Sequence, residues 1–316
     1  MRILFTGSSS FTGYWFISAL IAAGHEVVAT FQGDGKSYDG VRAKRVALIE
    51  QQCQTVFECP LGSDSFIRLI DSGSWDVLCH HAADVTDYKS AKFDAVAALQ
   101  KNTHNLPIVL EHLSKSCRKV VLTGSVFEQA EGVGSDSDQA FSPYGLSKGL
   151  TSDYFRYYCL AQNIALGKFV IPNPFGPYEE PRLTSYLVNA WAKKETPVIK
   201  TPDYVRDNIH VSLLAKAYAD FVGKLSDKIP FSHCSPSGYV ESQGAFVRRF
   251  AEAMHPRLGL PCEVEFQRQE SFPEPRMRIN TQPVDGMAYG WDEEQAWDEL
   301  ASYYQALIGL EAGNHR

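Results

Sequence analysis

Two periods alternate along the first half of the chain. Apolar runs of strand length stand at Ile3–Phe5, Glu26–Thr30, Thr55–Glu58, Asp76–His80, Lys119–Thr123 and Lys168–Ile171. Between most of them lie stretches with helical spacing, at Gly13–Ala23, Asp64–Asp71, Asp87–Ser116 and Pro143–Gln162. Apolar strands alternating with helices indicate a parallel sheet covered on both faces. Right-handed crossovers then give a doubly wound, Rossmann-type α/β sheet. Local signals agree. Gly24 follows the first helix as a C′ glycine, and Ser142-Pro143 offers an N-cap with proline at N1.

Beyond about residue 171 the alternation breaks up. Pro172, Pro174, Pro177, Pro181, Pro197 and Pro202 punctuate the chain before a helical segment at Val211–Lys224 and a strand-like one at Ile229–Cys234. The expected division is a dinucleotide-binding domain at 1–170 plus about 207–234, and a smaller C-terminal substrate-binding lobe at about 171–206 plus 235–316. The lobe would cover the C-terminal edge of the sheet, where doubly wound folds bind ligands.

Composition narrows the class. The chain is 44% hydrophobic, enough for a sizeable core, and carries a net charge of −7 with no Lys/Arg run. Nucleic acid and anionic membranes are therefore not the expected partners. Seven cysteines lie without CxxC spacing, and His80-His81 has no ligand-spaced companions. Reduced thiols and no metal are expected. The chain opens directly on a strand pattern and has no apolar run near ~18 residues, so neither signal peptide nor membrane span is expected. The expected location is the cytoplasm.

Candidate chemistry begins at the first strand–helix junction, Thr6-Gly7-Ser8-Ser9-Ser10-Phe11-Thr12-Gly13. Gly7 permits a tight turn and Gly13 close helix–sheet contact, so phosphates could rest on helix N-terminal amides. Ser10 stands at the usual middle glycine and should bring a side chain close to a pyrophosphate. The end of the second strand reads Ala29-Thr30-Phe31-Gln32 with no acid to hold a ribose 2′-hydroxyl, which leaves NAD and NADP both open. Tyr144 and Lys148 are four apart at the start of a helix and share a face. A neighbouring ammonium should lower the phenol's pKa and fit it for acid–base work. A third hydroxyl, to hold the substrate oxygen, should come from Thr123 or Ser125.

With these segments in hand, the chain resembles an extended short-chain dehydrogenase/reductase of the NAD-dependent epimerase/dehydratase group, whose members modify nucleotide sugars. The resemblance rests on the glycine loop, His80-His-Ala-Ala83, Asn102, Thr123-Gly-Ser-Val-Phe127, Tyr144-Gly-Leu-Ser-Lys148, Asn173-Pro-Phe-Gly-Pro177 and Arg206-Asp-Asn-Ile-His-Val211. It implies catalysis by Tyr144, Lys148 and Thr123, the last in preference to Ser125. It implies cofactor contacts from Gly7, Ser9, Ser10, Phe11, Thr12, Gly13, Gln32, Leu61, His81, Ala82, Ala83, Asn102, Tyr144, Lys148 and Ile171. It places substrate contacts at Asp84, Thr86, Thr123, Ser125, Asn173 and Arg206. Arg276 and Arg278 add a second candidate clamp for a diphosphate, since guanidinium groups suit it in bidentate fashion. The chain departs from the pattern at Ser10 and at Pro60, where an aspartate usually contacts adenine.

In this family, 4,6-dehydration uses an Asp-Glu pair directly after the catalytic threonine. Gly124 and Ser125 follow Thr123, and neither is an acid or base near neutral pH. The expected reaction is therefore 4-epimerisation of a nucleotide diphosphate sugar, with keto-sugar reduction as the alternative. Reduction of a non-nucleotide carbonyl compound would follow if the arginines were absent from the pocket. A non-catalytic dinucleotide sensor on the same fold would have no need of Tyr144 and Lys148. A homodimer built on Asp87–Ser116 and Pro143–Gln162 is expected by family resemblance.

Overall fold

The computed structural model describes residues 1–136 and 138–313. Its centre is a seven-stranded sheet of β1 (Arg2–Thr6), β2 (Glu26–Thr30), β3 (Gln54–Val56), β4 (Val77–His80), β5 (Lys119–Ser125), β7 (Ala165–Ile171) and β11 (Phe231–Cys234). The order is β11-β7-β5-β4-β1-β2-β3, and every pairing is parallel. The chain reverses direction of travel between β1 and β4, which is the switch point where such sheets open a crevice.

Strand residues alternate between two cores. One face packs Ile3, Phe5, Val77, Cys79, Val121 and Phe169 against α1 (Phe11–Ala22), α2 (Gly40–Glu50) and α8 (Val211–Lys224). The other packs Leu4, Val28, Leu78, Val120 and Leu122 against α3 (Asp64–Asp71), α5 (Leu106–Leu113) and α6 (Pro143–Ala161). Both faces are dry, which is why these strands read as continuous apolar runs rather than alternating ones.

A smaller sheet follows the order β13 (Tyr239–Ser242), β10 (Val205–His210), β15 (Met277–Ile279), β6 (Val133–Gly134), with β8 (Asn173–Phe175) also on β10. Two short pairs complete it: β9 (Val198–Ile199) with β14 (Glu265–Phe266), and β12 (Pro236–Ser237) with β16 (Gln282–Pro283). Beside them α7 (Leu183–Ala192), α9 (Gln243–Leu258) and α10 (Glu293–Gly313) enclose a third core around Trp191, Phe246, Phe250 and Trp297. No helix among the described residues is long and apolar enough to cross a membrane. All seven cysteines are free thiols.

Two elements differ from expectation. The helix expected over Asp87–Ser116 is instead a loop followed by α4 (Ala95–Asn102), a turn and α5. Asp94 caps α4 through the amides of Val96 and Ala97. Asn105 then takes a left-handed conformation at φ 51° and donates its side chain to the Gly62 carbonyl at 2.9 Å. Gly62 is itself forced by this contact, because a Cβ there would stand 2.0 Å from the His104 carbonyl. The second difference is α2, which the apolar pattern did not reveal. Its buried face contains Arg45 beside Val46 and Ile49, so a charged residue interrupts the stripe.

Candidate active site

The glycine loop closes onto β4. Gly7 sits at φ +77°, and a Cβ on it would lie 2.6 Å from the Ala82 nitrogen. Only glycine fits such an approach. Ser10 does not project toward a phosphate as expected. It is the N-cap of α1: its hydroxyl accepts from the Gly13 amide at 3.1 Å and donates to the Gly7 carbonyl at 2.9 Å. A Cβ on Gly13 would meet the Gly7 carbonyl at 2.4 Å. The Ser10 side chain is thus turned back into the loop, and the N-terminus of α1 remains a fit for a pyrophosphate despite the missing glycine. Phe11 and Thr12 are buried in the first turn, and Ser9 is held from outside by two arginines.

Those arginines are Arg42 and Arg45 of α2. Arg45 is fully buried; its Nε donates to the Ser9 carbonyl at 2.9 Å, one amino group to Tyr178, and the other pairs with Glu180. Arg42 donates its Nε to the Ser9 hydroxyl at 2.9 Å and packs over the Tyr38 ring. With Gln32, Gly33, Ser37 and Asp39, Arg42 and Tyr38 line a cavity of about 250 Å³.

His81 joins the loop to the catalytic strand. Its Nε2 lies 2.9 Å from the Thr12 hydroxyl and 3.0 Å from that of Ser10, and its Nδ1 lies 2.9 Å from Thr123 Oγ1. Burial lowers its pKa to about 3, with the charges of Lys148 and His80 adding to the effect, so the ring is neutral and carries one proton between three hydroxyls. The side chain was expected only as part of a cofactor-lining segment; its bridging role has no sequence signal beyond a polar residue among apolar neighbours. His80, likewise neutral, bonds Thr6 at 2.9 Å, and Thr6 Oγ1 accepts the amides of His81 and Ala82. Ala83 follows at the strand's end.

Tyr144 and Lys148 open α6, on the opposite face of the sheet from His81. Lys148 is buried and donates to the Thr123 carbonyl at 2.6 Å. The Thr123 hydroxyl is directed to the α1/α8 face and His81, and among the described residues no hydrogen bond joins it to Tyr144. The Tyr144 ring packs against Tyr88 and Phe93 of the 83–94 loop, with centroids 5.3 and 5.9 Å away. The expected lowering of its pKa by Lys148 is not what the site produces. Burial raises the phenol well above its usual value; the Glu128 carboxylate and Tyr88 add to this, and Arg182 opposes it. The reason is geometric: the ammonium is committed to a backbone carbonyl, and desolvation dominates.

Glu128 was not anticipated. It is 0% exposed, accepts the Ser125 amide at 2.7 Å and pairs with Lys168 at 2.7 Å. Lys168 also holds Glu131 at 2.7 Å, and Glu131 reaches His233 at 3.0 Å. The signal for it was present: an acid directly follows the Thr123–Phe127 segment. Ser125 uses its hydroxyl to accept the Phe127 amide.

The other expected residues lie in several parts of the fold. Asn102 accepts the Asp84 amide and donates to Thr151, tying the loop after β4 to α6. Asp84 pairs with Lys101 and, with Thr86, Phe93 and Lys101, lines a cavity of about 320 Å³. Leu61 is buried in the second core, and Ile171 packs against the first. Asn173 donates to the Asp207 carbonyl. Arg206 pairs with Glu274, donates to the Val205 and Pro275 carbonyls and lies over Tyr204 and Phe141. Arg276 is exposed and packs over Phe272. Arg278 is the correction: it is 0% exposed and donates to the carbonyls of Glu128, Glu131, Asp136 and Gln139. Its guanidinium is committed to the backbone around Glu128, Glu131, Asp136 and Gln139. Arg182, whose charge acts on both Tyr144 and Glu179, was missed because nothing in a Pro-rich segment places it there. No cluster of His, Cys, Asp or Glu among the described residues could hold a metal.

Comparison with known proteins matches this architecture. Residues 3–255 fit the NAD dependent epimerase/dehydratase family model. No curated protein matches the sequence. Among solved structures, UDP-glucose 4-epimerase of Thermotoga maritima with UDP-glucose aligns at TM-score 0.74 and 17% identity, covering 98% of this chain and 100% of that one. UDP-glucuronic acid 4-epimerase of Bacillus cereus, as a tyrosine-to-phenylalanine mutant with a fluorinated UDP-sugar and NAD, gives 0.72 and 16%, covering 97% and 100%. A dTDP-glucose 4,6-dehydratase of Streptomyces venezuelae with NAD gives 0.71 and 17%, covering 98% of each. The chain belongs to the NAD-dependent epimerase/dehydratase family, enzymes of the extended short-chain dehydrogenase/reductase class.

Proposed function

We propose that the protein is a nucleotide-sugar 4-epimerase dependent on NAD or NADP. The observation that carries this is Tyr144 and Lys148 at the sheet's C-terminal edge, where the carboxylate acting on Tyr144 among the described residues is that of Glu128. Dehydration needs a second acid or base, and Glu128 is already committed to Lys168 and the Ser125 amide.

A nicotinamide dinucleotide, when bound, supplies the carbon that takes up and returns the hydride. The N-terminus of α1, with the Ser10 hydroxyl turned back onto Gly7 and Gly13, suits its pyrophosphate. The chain's own residues do the rest. Tyr144 exchanges a proton with the sugar's 4-oxygen. Its raised pKa holds the proton on the phenol in the resting protein, and the positive charge of Arg182 opposes that rise. Thr123 holds the Lys148 ammonium through its carbonyl, while its hydroxyl stays with His81 on the other face. Arg206 lies on β10, and Arg276 directly precedes β15, the strand paired with it. The two can take up a diphosphate together, with Arg206 exchanging Glu274 for it. The UDP-sugars bound by the structural neighbours support that substrate class.

The test is nuclear magnetic resonance of UDP-glucose or UDP-glucuronic acid incubated with the protein and either oxidised dinucleotide. The expected result is a mixture of C4 epimers, lost by at least ~10²-fold in Tyr144→Phe. Full turnover in Tyr144→Phe would overturn the assignment. So would net, stoichiometric reduction of the added dinucleotide with no return of hydride to the sugar, the mark of a one-way oxidoreductase.

A further inference from the structure

The end of β2 decides between the two dinucleotides in folds of this kind. An acid there holds the ribose 2′-hydroxyl of NAD, and a nearby arginine accommodates the 2′-phosphate of NADP. Here Phe31 and Gln32 occupy the strand end. Phe31 is buried and stacked on Phe57, and Gln32 is exposed and uncharged.

What the structure adds is α2. Its first turn carries Arg42 up to the glycine loop, where the Nε–Ser9 bond and the Tyr38 ring orient the guanidinium over the cavity beside Gln32. Tyr38 is itself pinned, its hydroxyl accepting the Gly33 amide at 3.0 Å. Among the described residues no carboxylate pairs with Arg42, so both terminal amino groups are available. The contrast with Arg45 is informative. Arg45 flanks the same serine, but its guanidinium is fully engaged by Ser9, Tyr178 and Glu180. The two guanidinium groups are close enough to act on one another, a repulsion that an anion between or beside them would relieve.

One carboxylate, Asp39, lines the cavity as well. It precedes α2 without capping it and is exposed, so nothing holds it toward a ribose. The guanidinium is preorganised and the carboxylate is not.

We propose that this cavity receives the 2′-phosphate of the adenosine ribose, that Arg42 grips it, and that the protein accordingly selects NADP over NAD. The inference rests on the reading of the glycine loop as a dinucleotide site.

Binding alone tests it, without any sugar. Isothermal titration of the full chain with NADPH, NADH, 2′,5′-ADP and 5′-AMP should show tighter binding of each 2′-phosphorylated member. A charge-assisted bidentate contact is worth on the order of 10- to 100-fold in affinity. Arg42→Ala should lose that factor for NADPH and 2′,5′-ADP and leave NADH and 5′-AMP unchanged. Asp39→Asn should not weaken NADH. Arg42 is exposed, so the variant should fold, and its melting curve checks this. Equal or tighter binding of NADH by the native protein would overturn the proposal, as would an equal loss for both dinucleotides in Arg42→Ala. Either result leaves the dinucleotide reading standing. Failure to bind any of the four probes would overturn that reading and this one together.

Discussion

Arg278 offers the sharpest test of how the site is built. In Arg278→Met the side chain keeps much of its length but loses all donors. Four backbone carbonyls, at 3.2, 3.0, 2.8 and 2.8 Å, lose a charged partner inside the 128–139 loop. Each hydrogen bond to a charged group contributes roughly 1.5–3 kcal/mol, but removing the buried charge also recovers its desolvation penalty, and water can enter the loosened loop. A net loss of about 4 kcal/mol follows. With an unfolding entropy of about 2.1 cal/mol/K per residue over 316 residues, that lowers Tm by roughly 6 °C. Thermal unfolding by circular dichroism reads the shift, and titration with UDP reads the diphosphate site. The expected pattern is a large drop in Tm with UDP affinity changed far less than in Arg206→Ala. Unchanged Tm with a collapse in UDP affinity would refute the structural role and restore Arg278 as a ligand clamp.

Lys168→Met should destabilise the protein by about 3–5 kcal/mol in urea unfolding, because it leaves the buried Glu128 and Glu131 carboxylates without their shared cation. Wild-type stability in Lys168→Met would show that the pair contributes nothing. Glu179 is buried beneath Thr184 and Tyr304, and burial raises its carboxyl to about 7 against the effects of both hydroxyls and Arg182. A raised carboxyl favours folding below its unfolded value and loses that contribution as pH rises toward 7, here by roughly 3 kcal/mol. Glu179→Gln should therefore be more stable than the native protein at pH ~8 and similar at pH ~4.5; parallel curves across that window would sink the idea. We also expect a homodimer through α4 and α6, where Val96, Leu146, Leu150 and Tyr157 are exposed apolar residues. Light scattering at micromolar concentration should give twice the chain mass, and a monomer there would refute it.

The alternation of apolar strands and helical spacing was enough to specify the parallel sheet, because both faces of β1, β4, β5 and β7 are buried and their residues are mostly apolar. The pairs fixed by local spacing were legible too. Tyr144 and Lys148 share a helix face by geometry alone, and Gly7 and Gly13 mark a turn that no Cβ allows. Tertiary structure decided what those groups meet. Ser10 became a helix cap, Lys148 found a carbonyl, and burial reversed the expected shift of Tyr144, since desolvation depends on what packs above a side chain. Arg278 and Arg206 look alike in sequence, yet one is enclosed by a segment ~140 residues away and the other, half-buried, pairs with Glu274. His81, Glu128 and Arg42 gain their places from contacts spanning 42, 40 and 33 residues. Pattern reading detects neighbours along a helix or strand. It carries no information about which distant segment closes over a charge, and that closure is what sets each group's chemistry here.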